Sequence, residues 1–416
     1  MATELDPPAP RHAQPHGNDY DHETRRNIKD SLLRGRETFR FDTFGDEAFW
    51  GDALRLHEAL ATVSPNTALA VGLKVDSEAL PPELIEAILK GEVDLDDPAV
   101  TADLLELNSV VGATGFFEDG ELVSVGIQCA LCHSTVDDSV LPGIGHRRDG
   151  WANRDLDVGA IIALAPDLTP FIELLGVDDA TVRTVLTSWG PGKFDASLSL
   201  DGKAFRDDGE SAAVLIPPAF GLAGINLQTW TGWGSVAHWN ALVAVLEMHG
   251  DGTIIDPRLN DPVQFPVAAA NGFFEVRSET DRVTKELAAL HLYQLALPSP
   301  APPQGSFDPI AAARGQGVFK QARCAECHVP PIYTEPGWNL HTPEEIGIDS
   351  FQADRSPTAG YRTAPLRGLW THTKGGFYHD GRFANFDELF DHYSALLSVE
   401  LSAEERADLE QFLLSL

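Results

Sequence analysis

The sequence predicts a mainly α protein in two unequal parts with long ordered loops, the N-terminal part being the larger. Three observations predict it. Apolar residues recur at helical spacing in segments that open on proline or a capping side chain. A proline-rich stretch over 298–306 (PSPAPPQGS) interrupts that pattern and divides residues 30–297 from 307–416. Each part holds one C-x-x-C-H motif, and the two motifs together use all 4 cysteines of the 416-residue chain.

In chain order, residues 1 to about 29, rich in proline, histidine and charge, read as a disordered leader. Residues 81–89 (PPELIEAIL) open on two prolines and then carry apolar residues along one face, which predicts a helix. Residues 181–188 and 239–246 read the same way. Glycine- and proline-rich loops at 190–192 and 216–221 lie between them. Loops of that kind suit a chain in which a flat cofactor replaces side-chain core. After the break, Asp308 caps a helix with Pro309 in its first position, and this helix runs into the second motif. At the end, Ser402 and Glu405 form a capping box. Leu409, Phe412, Leu413 and Leu416 follow it as an apolar stripe.

Composition excludes several function classes. With 63 acidic residues against 30 Lys plus Arg, the formal charge is -33, which disfavours nucleic acid and anionic membrane as partners. Long apolar runs such as 158–165 (VGAIIALA) are too short to span a bilayer. Four cysteines are too few for a disulfide scaffold.

Cys129-Ala-Leu-Cys132-His133 and Cys324-Ala-Glu-Cys327-His328 have the spacing of covalent haem attachment. Two thiols add to the haem vinyl groups, and the adjacent histidine ligates iron from below. A zinc site made of two C-x-x-C pairs, or a pair of redox dithiols, is the rival reading, but neither needs histidine directly after both second cysteines. The expectation is two covalently attached haem c groups, with His133 and His328 as proximal iron ligands. Haem attachment of this type takes place on the exported side of a bacterial membrane. The expected location is therefore periplasmic or secreted, although the first residues carry neither a basic nor an apolar signal-peptide region.

The opposite face of each iron decides between catalysis and electron transfer. Methionine is nearly absent: Met1 lies in the leader, and Met248 ends an apolar helix where it suits core packing. His146, in a glycine-rich loop after the first motif, is either a sixth ligand there or part of a charged surface cluster with Arg147 and Arg148. For the N-terminal haem, Trp189, Trp230 and Trp233 are candidates for lining the distal pocket or wiring the two haems, or else for ordinary core, with His238 and His249 in reserve. Between 355 and 382 stand Arg355, Arg362, Arg367, Lys374 and Arg382 against one acid, Asp380. That local excess suits haem propionates, with a basic docking face as the alternative.

Residues 363–370 (TAPLRGLW) and 376–383 (GFYHDGRF) resemble the C-terminal signature of the bacterial dihaem cytochrome c peroxidase superfamily, which includes the dihaem enzyme that matures a tryptophan-derived quinone. The helix, motif and closing helix of 307–416 resemble a class I cytochrome c domain. In the peroxidases a methionine ligand lies fourteen residues beyond the His of His-Asp-Gly. Here that place, counted from His379, holds Tyr393, which resembles the His/Tyr ligation of the quinone-maturing enzyme. His379 itself and His392 are the rival sixth ligands. Residues 125–133, 190–195 and 229–234 resemble segments of rubber-oxygenase-type dihaem cytochromes.

The resemblance implies two cytochrome c-like haem domains. It implies an oxidoreductase that activates peroxide or dioxygen at the N-terminal haem and transfers electrons through the C-terminal one. A cationic redox partner protein and a small organic substrate are the further partners expected. The alternative is a non-catalytic dihaem electron-transfer protein.

Overall fold

The computed structural model describes residues 19–416, and they form a mostly helical protein with small two-stranded sheets. The chain opens with a helix over Asp19–Phe41, so the expected disordered leader is corrected from Asp19 onward, and residues 1–18 lie outside the described part. The first turns of this helix are exposed, whereas Gly35, Thr38 and Phe39 are buried against the Leu287–Ala296 helix. A β-carbon at Gly35 would collide with the carbonyl of Ala289, so glycine permits the close crossing. Arg34 pairs with Glu286 at 2.7 Å beside it.

The helices begin where the start signals stand. The predicted segment at 81–89 is the helix Pro82–Lys90, and that at 181–188 is Asp179–Thr187, capped by the Asp178 side chain. The segment at 239–246 is helix over Val236–Leu242, then widens into a π-helical turn over Val243–Glu247. Met248 follows in the core, its carbonyl accepting the Trp50 indole N–H at 2.9 Å, so packing is its role. The strands were not foreseen. They include a hairpin pairing Ala113–Glu118 with Glu121–Ile127 and ribbons of two or three residues, too short to carry an alternating pattern. No described helix is long and apolar enough to cross a membrane.

Two large apolar clusters fill the N-terminal part, one around Leu54, Leu156 and Trp189, the other around Phe39, Leu242 and Phe265. A third, around Phe319, Phe390 and Phe412, lies in the C-terminal part. There the helix Pro309–Gln321, capped by Asp308, crosses the closing helix Ala403–Leu414, whose Ser402–Glu405 capping box is present. Gly315 makes the crossing possible, because a β-carbon on it would meet the Asp408 carbonyl.

The stretch 298–306 is irregular, as its prolines dictate, but it does not separate two independent bodies. Residues after it are locked into the N-terminal part. Arg355, whose side chain is 0% exposed, bonds Asp201 at 2.7 Å and Asp195 at 3.0 Å. The Thr358 hydroxyl donates to the Thr231 carbonyl at 2.7 Å, and the Leu215 N–H donates to the His379 carbonyl at 2.7 Å. Trp370 donates to the Pro300 carbonyl at 2.9 Å and packs edge-on against Trp151.

Candidate functional site

The Pro309–Gln321 helix delivers the second motif. Arg323 takes a left-handed conformation (φ 66), and Cys324–Glu326 forms a tight turn that ends at Cys327 and His328. The His328 Nδ1–H donates to the Tyr333 carbonyl at 3.2 Å. Since a carbonyl only accepts, this bond fixes the tautomer and leaves Nε2 with a free lone pair. Burial pulls the His328 pKa down to about 4, so the imidazole is neutral at ordinary pH.

Cys324, Cys327 and His328 line a cavity of about 300 Å³. Apolar walls come from Phe319, Leu366, Phe390 and Leu413, and the N-terminal part closes another side with Trp151, Phe220 and Trp230. Polar and charged groups share the wall, Glu326, His341, Glu345 and His372 among them. Arg362 donates from Nε to the Thr229 carbonyl at 2.9 Å, but among the described residues its buried Nη1 finds no partner. Arg154 has a buried Nη1 in the same condition. Burial pulls both guanidiniums down to about 10. A buried guanidinium nitrogen without a hydrogen-bond partner is costly, so two of them at one cavity suit an anionic group there. Arg367 lines the cavity as well, exposed, with Nη1 donating to the Pro331 carbonyl at 3.3 Å.

The rest of the basic stretch is already engaged, which corrects its reading as a single anion-binding group. Arg355 serves Asp195 and Asp201, Lys374 pairs with Asp155, and Arg382 pairs with Asp349 at 2.6 Å and Asp380 at 2.8 Å. Asp155, Asp195, Asp201 and Asp349 lie outside 355–382 in sequence, so counting charges along that segment hid them.

His379 and Tyr393 both line the cavity. The His379 side chain belongs to a residue only 3% exposed, stacked on Tyr361 with centroids 5.2 Å apart, and burial lowers its pKa to about 4. Burial raises the Tyr393 phenol, and Tyr378 lies beside it. His392 does not share the cavity wall: its ring N–H donates to the Ile346 carbonyl at 2.9 Å. One helical step separates Tyr393 from His392, and it sends the two side chains to different places.

The first motif follows the Glu121–Ile127 strand. Cys129 precedes the single helical turn Ala130–His133, and the Gly112 backbone (φ 83) approaches that turn too closely for any side chain. The His133 Nδ1–H donates to the Pro217 carbonyl at 3.1 Å, the same arrangement as at His328. Burial lowers the His133 pKa to about 4. Burial also pushes the Cys129 and Cys132 thiols up to about 12 and Cys324 up to about 11. Reactive dithiols have depressed pKa values, so these pairs lack that signature. The four cysteines do not converge on one tetrahedral site; among the described residues Cys327 instead approaches Glu335 and His341.

The two motifs are separated by a thin wall. The Gly150 N–H donates to the His133 carbonyl at 2.8 Å, and the Asn153 N–H to the Cys132 carbonyl at 2.9 Å. The neighbouring Trp151, Ala152 and Arg154, like Pro217, line the cavity of the second motif.

Of the tryptophans proposed for the first motif's distal pocket, Trp230 instead lines the cavity of the second motif, with its indole N–H on the Leu215 carbonyl at 2.8 Å. Trp189 packs in the core against Phe194, and Trp233 stacks on Phe265 while donating to Asp256 at 3.0 Å. His146 is a surface residue, its side chain 58% exposed and paired with Asp137, which corrects its candidacy as a sixth ligand. His238 pairs with Asp256 at 3.0 Å, and His249 stacks on Phe49 at 3.6 Å.

Sequence reasoning missed Arg154, Tyr378 and Asp46. Asp46 is 0% exposed, accepts the Ile127 N–H at 3.1 Å close to the first motif, and is pushed up from 3.8 to about 9 by burial. A group raised in this way is protonated in the folded chain and ionised in the unfolded chain between those values. Its contribution to stability is full below about pH 4 and is lost as pH rises through about 9. Asp46→Asn, which mimics the protonated acid, is expected to flatten the fall in melting temperature between pH 5 and 9, measured by thermal denaturation across that range.

No known protein-family model matches this chain, and no curated protein sequence matches it.

Proposed function

We propose that the chain is a dihaem c-type cytochrome acting as an oxidoreductase of the dihaem peroxidase type, with peroxide or dioxygen activated at the N-terminal haem and electrons passed through the C-terminal one. The observation that carries this reading is a repeated local design. Each histidine of a C-x-x-C-H motif is half-buried, neutral and bound through Nδ1–H to a backbone carbonyl, which leaves Nε2 for a metal. Metal-ligating histidines are typically oriented by such a bond.

The donor set around the second motif suits haem. A volume of about 300 Å³ is at the lower end of cofactor and ligand pockets, typically about 300–1,000 Å³. Its walls are mostly apolar and aromatic, and the buried Nη1 donors of Arg154 and Arg362 suit two propionate carboxylates, with Arg367 beside them. In this reading Cys324, Cys327 and His328 would hold one haem, and Cys129, Cys132 and His133 would hold the other. Haem supplies reversible electron storage and, where one side of the iron is open, peroxide or dioxygen chemistry. The chain's own residues do the rest. His379 or Tyr393 would offer the C-terminal haem a further ligand, the mostly apolar walls would exclude water, and Asp46 would keep a proton near the first motif.

Electron paramagnetic resonance of the oxidised holoprotein tests the reading. One high-spin and one low-spin haem, with peroxide turnover after partial reduction, is the expected result. Two low-spin haems in both oxidation states without turnover would leave only the electron-transfer alternative. Tyr393→Phe is expected to change the low-spin spectrum; an unchanged spectrum, with the change appearing in His379→Ala, would assign the ligand to His379.

A further inference from the structure

We propose that a small apolar cavity in the N-terminal part is a holding site for one molecule of dioxygen beside the first motif. This deepens the oxidoreductase reading, in which peroxide or dioxygen meets the N-terminal haem, and rests on it for the use made of the gas. The cavity measures about 30 Å³. Leu60, Ala68, Val75, Leu104, Ala113 and Ile144 wall it, all buried members of the cluster around Leu54 and Trp189. A short stretch of backbone ties it to the first motif. Val110 and Ala113, which line it, stand on either side of Gly112. The Gly112 carbonyl accepts the Gln128 N–H at 3.0 Å, and a β-carbon on Gly112 would collide with Leu131, which lies between Cys129 and Cys132.

Size and chemistry select the guest. The space exceeds the roughly 10–15 Å³ that one water needs, in an interior whose norm is close packing. No polar atom of the described residues faces it. The two polar side chains in its wall are turned to partners elsewhere. Lys74 pairs with Asp155 at 2.8 Å, and the Thr101 hydroxyl donates to the Val63 carbonyl at 2.6 Å. The backbone is satisfied as well, with the Val75 N–H on the Gly143 carbonyl at 2.9 Å and the Val111 N–H on the Lys74 carbonyl at 2.8 Å. A buried water needs about two to four polar partners, so this cavity stays dry. Hydrogen peroxide, a donor and acceptor at both ends, would lose its hydrogen bonds on entering. A small apolar molecule loses none and gains dispersion contacts with the walls.

Xenon, an apolar atom that enters dry cavities, probes the site. Crystals of the holoprotein under xenon pressure are expected to show an anomalous peak in this cavity. Those of Ala113→Val, which fills it from the hairpin, are expected to lack that peak. In stopped flow, the reduced holoprotein is mixed with dioxygen or with hydrogen peroxide, and bound haem is measured on the same samples. The ratio of the dioxygen to the peroxide rate constant is expected to fall in Ala113→Val. No xenon in the cavity of the parent would overturn the proposal, and so would an unchanged ratio in the variant. Should Ala113→Val not fold, Ala68→Val narrows the same cavity from the Pro65–Ala70 helix and carries the same expectations. A parent protein without bound haem, whatever the xenon peak shows, would instead overturn the dihaem reading beneath it.

Discussion

Arg355→Met is expected to destabilise the protein by about 3–5 kcal/mol, the usual cost of removing one partner from a buried ion-paired network. Its guanidinium bonds Asp201 at 2.7 Å and Asp195 at 3.0 Å, and it donates to the carbonyls of Lys203 at 2.9 Å and Ala212 at 3.3 Å. It also lies over the Phe351 ring at 5.2 Å. Loss of the cation leaves two carboxylates, with side chains 2% and 0% exposed, without a counter-charge. Urea denaturation should report a lower midpoint with an unchanged slope. Adding Asp195→Asn and Asp201→Asn should recover part of the loss, because the stranded charges are then gone. A fall of less than about 1 kcal/mol in the single variant, the size seen for exposed pairs, would show that this network does not hold the two parts together. The effect should also reach the cavity, since Arg362, Arg367 and His379 follow Arg355 in the same interlocked segment.

Cys324→Ala combined with Cys327→Ala is expected to abolish covalent attachment at the second motif and leave the first intact. Covalently bound haem per chain should fall by half, and the low-spin signal should go with it. The mirrored pair, Cys129→Ala with Cys132→Ala, should remove the other half and the high-spin signal. The two variants differ in a second respect. The C-terminal cluster of Phe319, Phe390 and Phe412 borders the cavity, so emptying it withdraws packing from the junction of the Pro309–Gln321 and Ala403–Leu414 helices. Thermal unfolding of the Cys324/Cys327 variant should therefore begin at lower temperature than that of the parent. Full haem content in either double variant would contradict the assignment of the motifs.

What was legible in the sequence was local. Asp308 with Pro309 and Ser402 with Glu405 mark helix starts through contacts three residues apart or fewer, and both are present as read. The stripe of Leu409, Phe412 and Leu413 is buried because helical period alone places it on one face. The motif cysteines and histidines were legible by spacing. The fates of the cations were not. Arg355 finds Asp195 and Asp201 far along the chain, whereas Arg362 pairs with no acid among the described residues, and nothing in the segment distinguishes them. The opening helix was hidden by its exposed polar turns, since its buried face begins only near Gly35. Arg154 carries no pattern of its own; its meaning comes from a wall that brings 150–154 between the two motifs.

The number of haem groups bound covalently to each chain tests the central claim most directly. The protein should be made in cells that carry the cytochrome c maturation machinery, then denatured and examined by intact mass and by its alkaline pyridine haemochrome spectrum. The account predicts a chain heavier by two haems, with the spectrum of thioether-linked haem. A denatured chain with the mass of the polypeptide alone and four titratable thiols would contradict it.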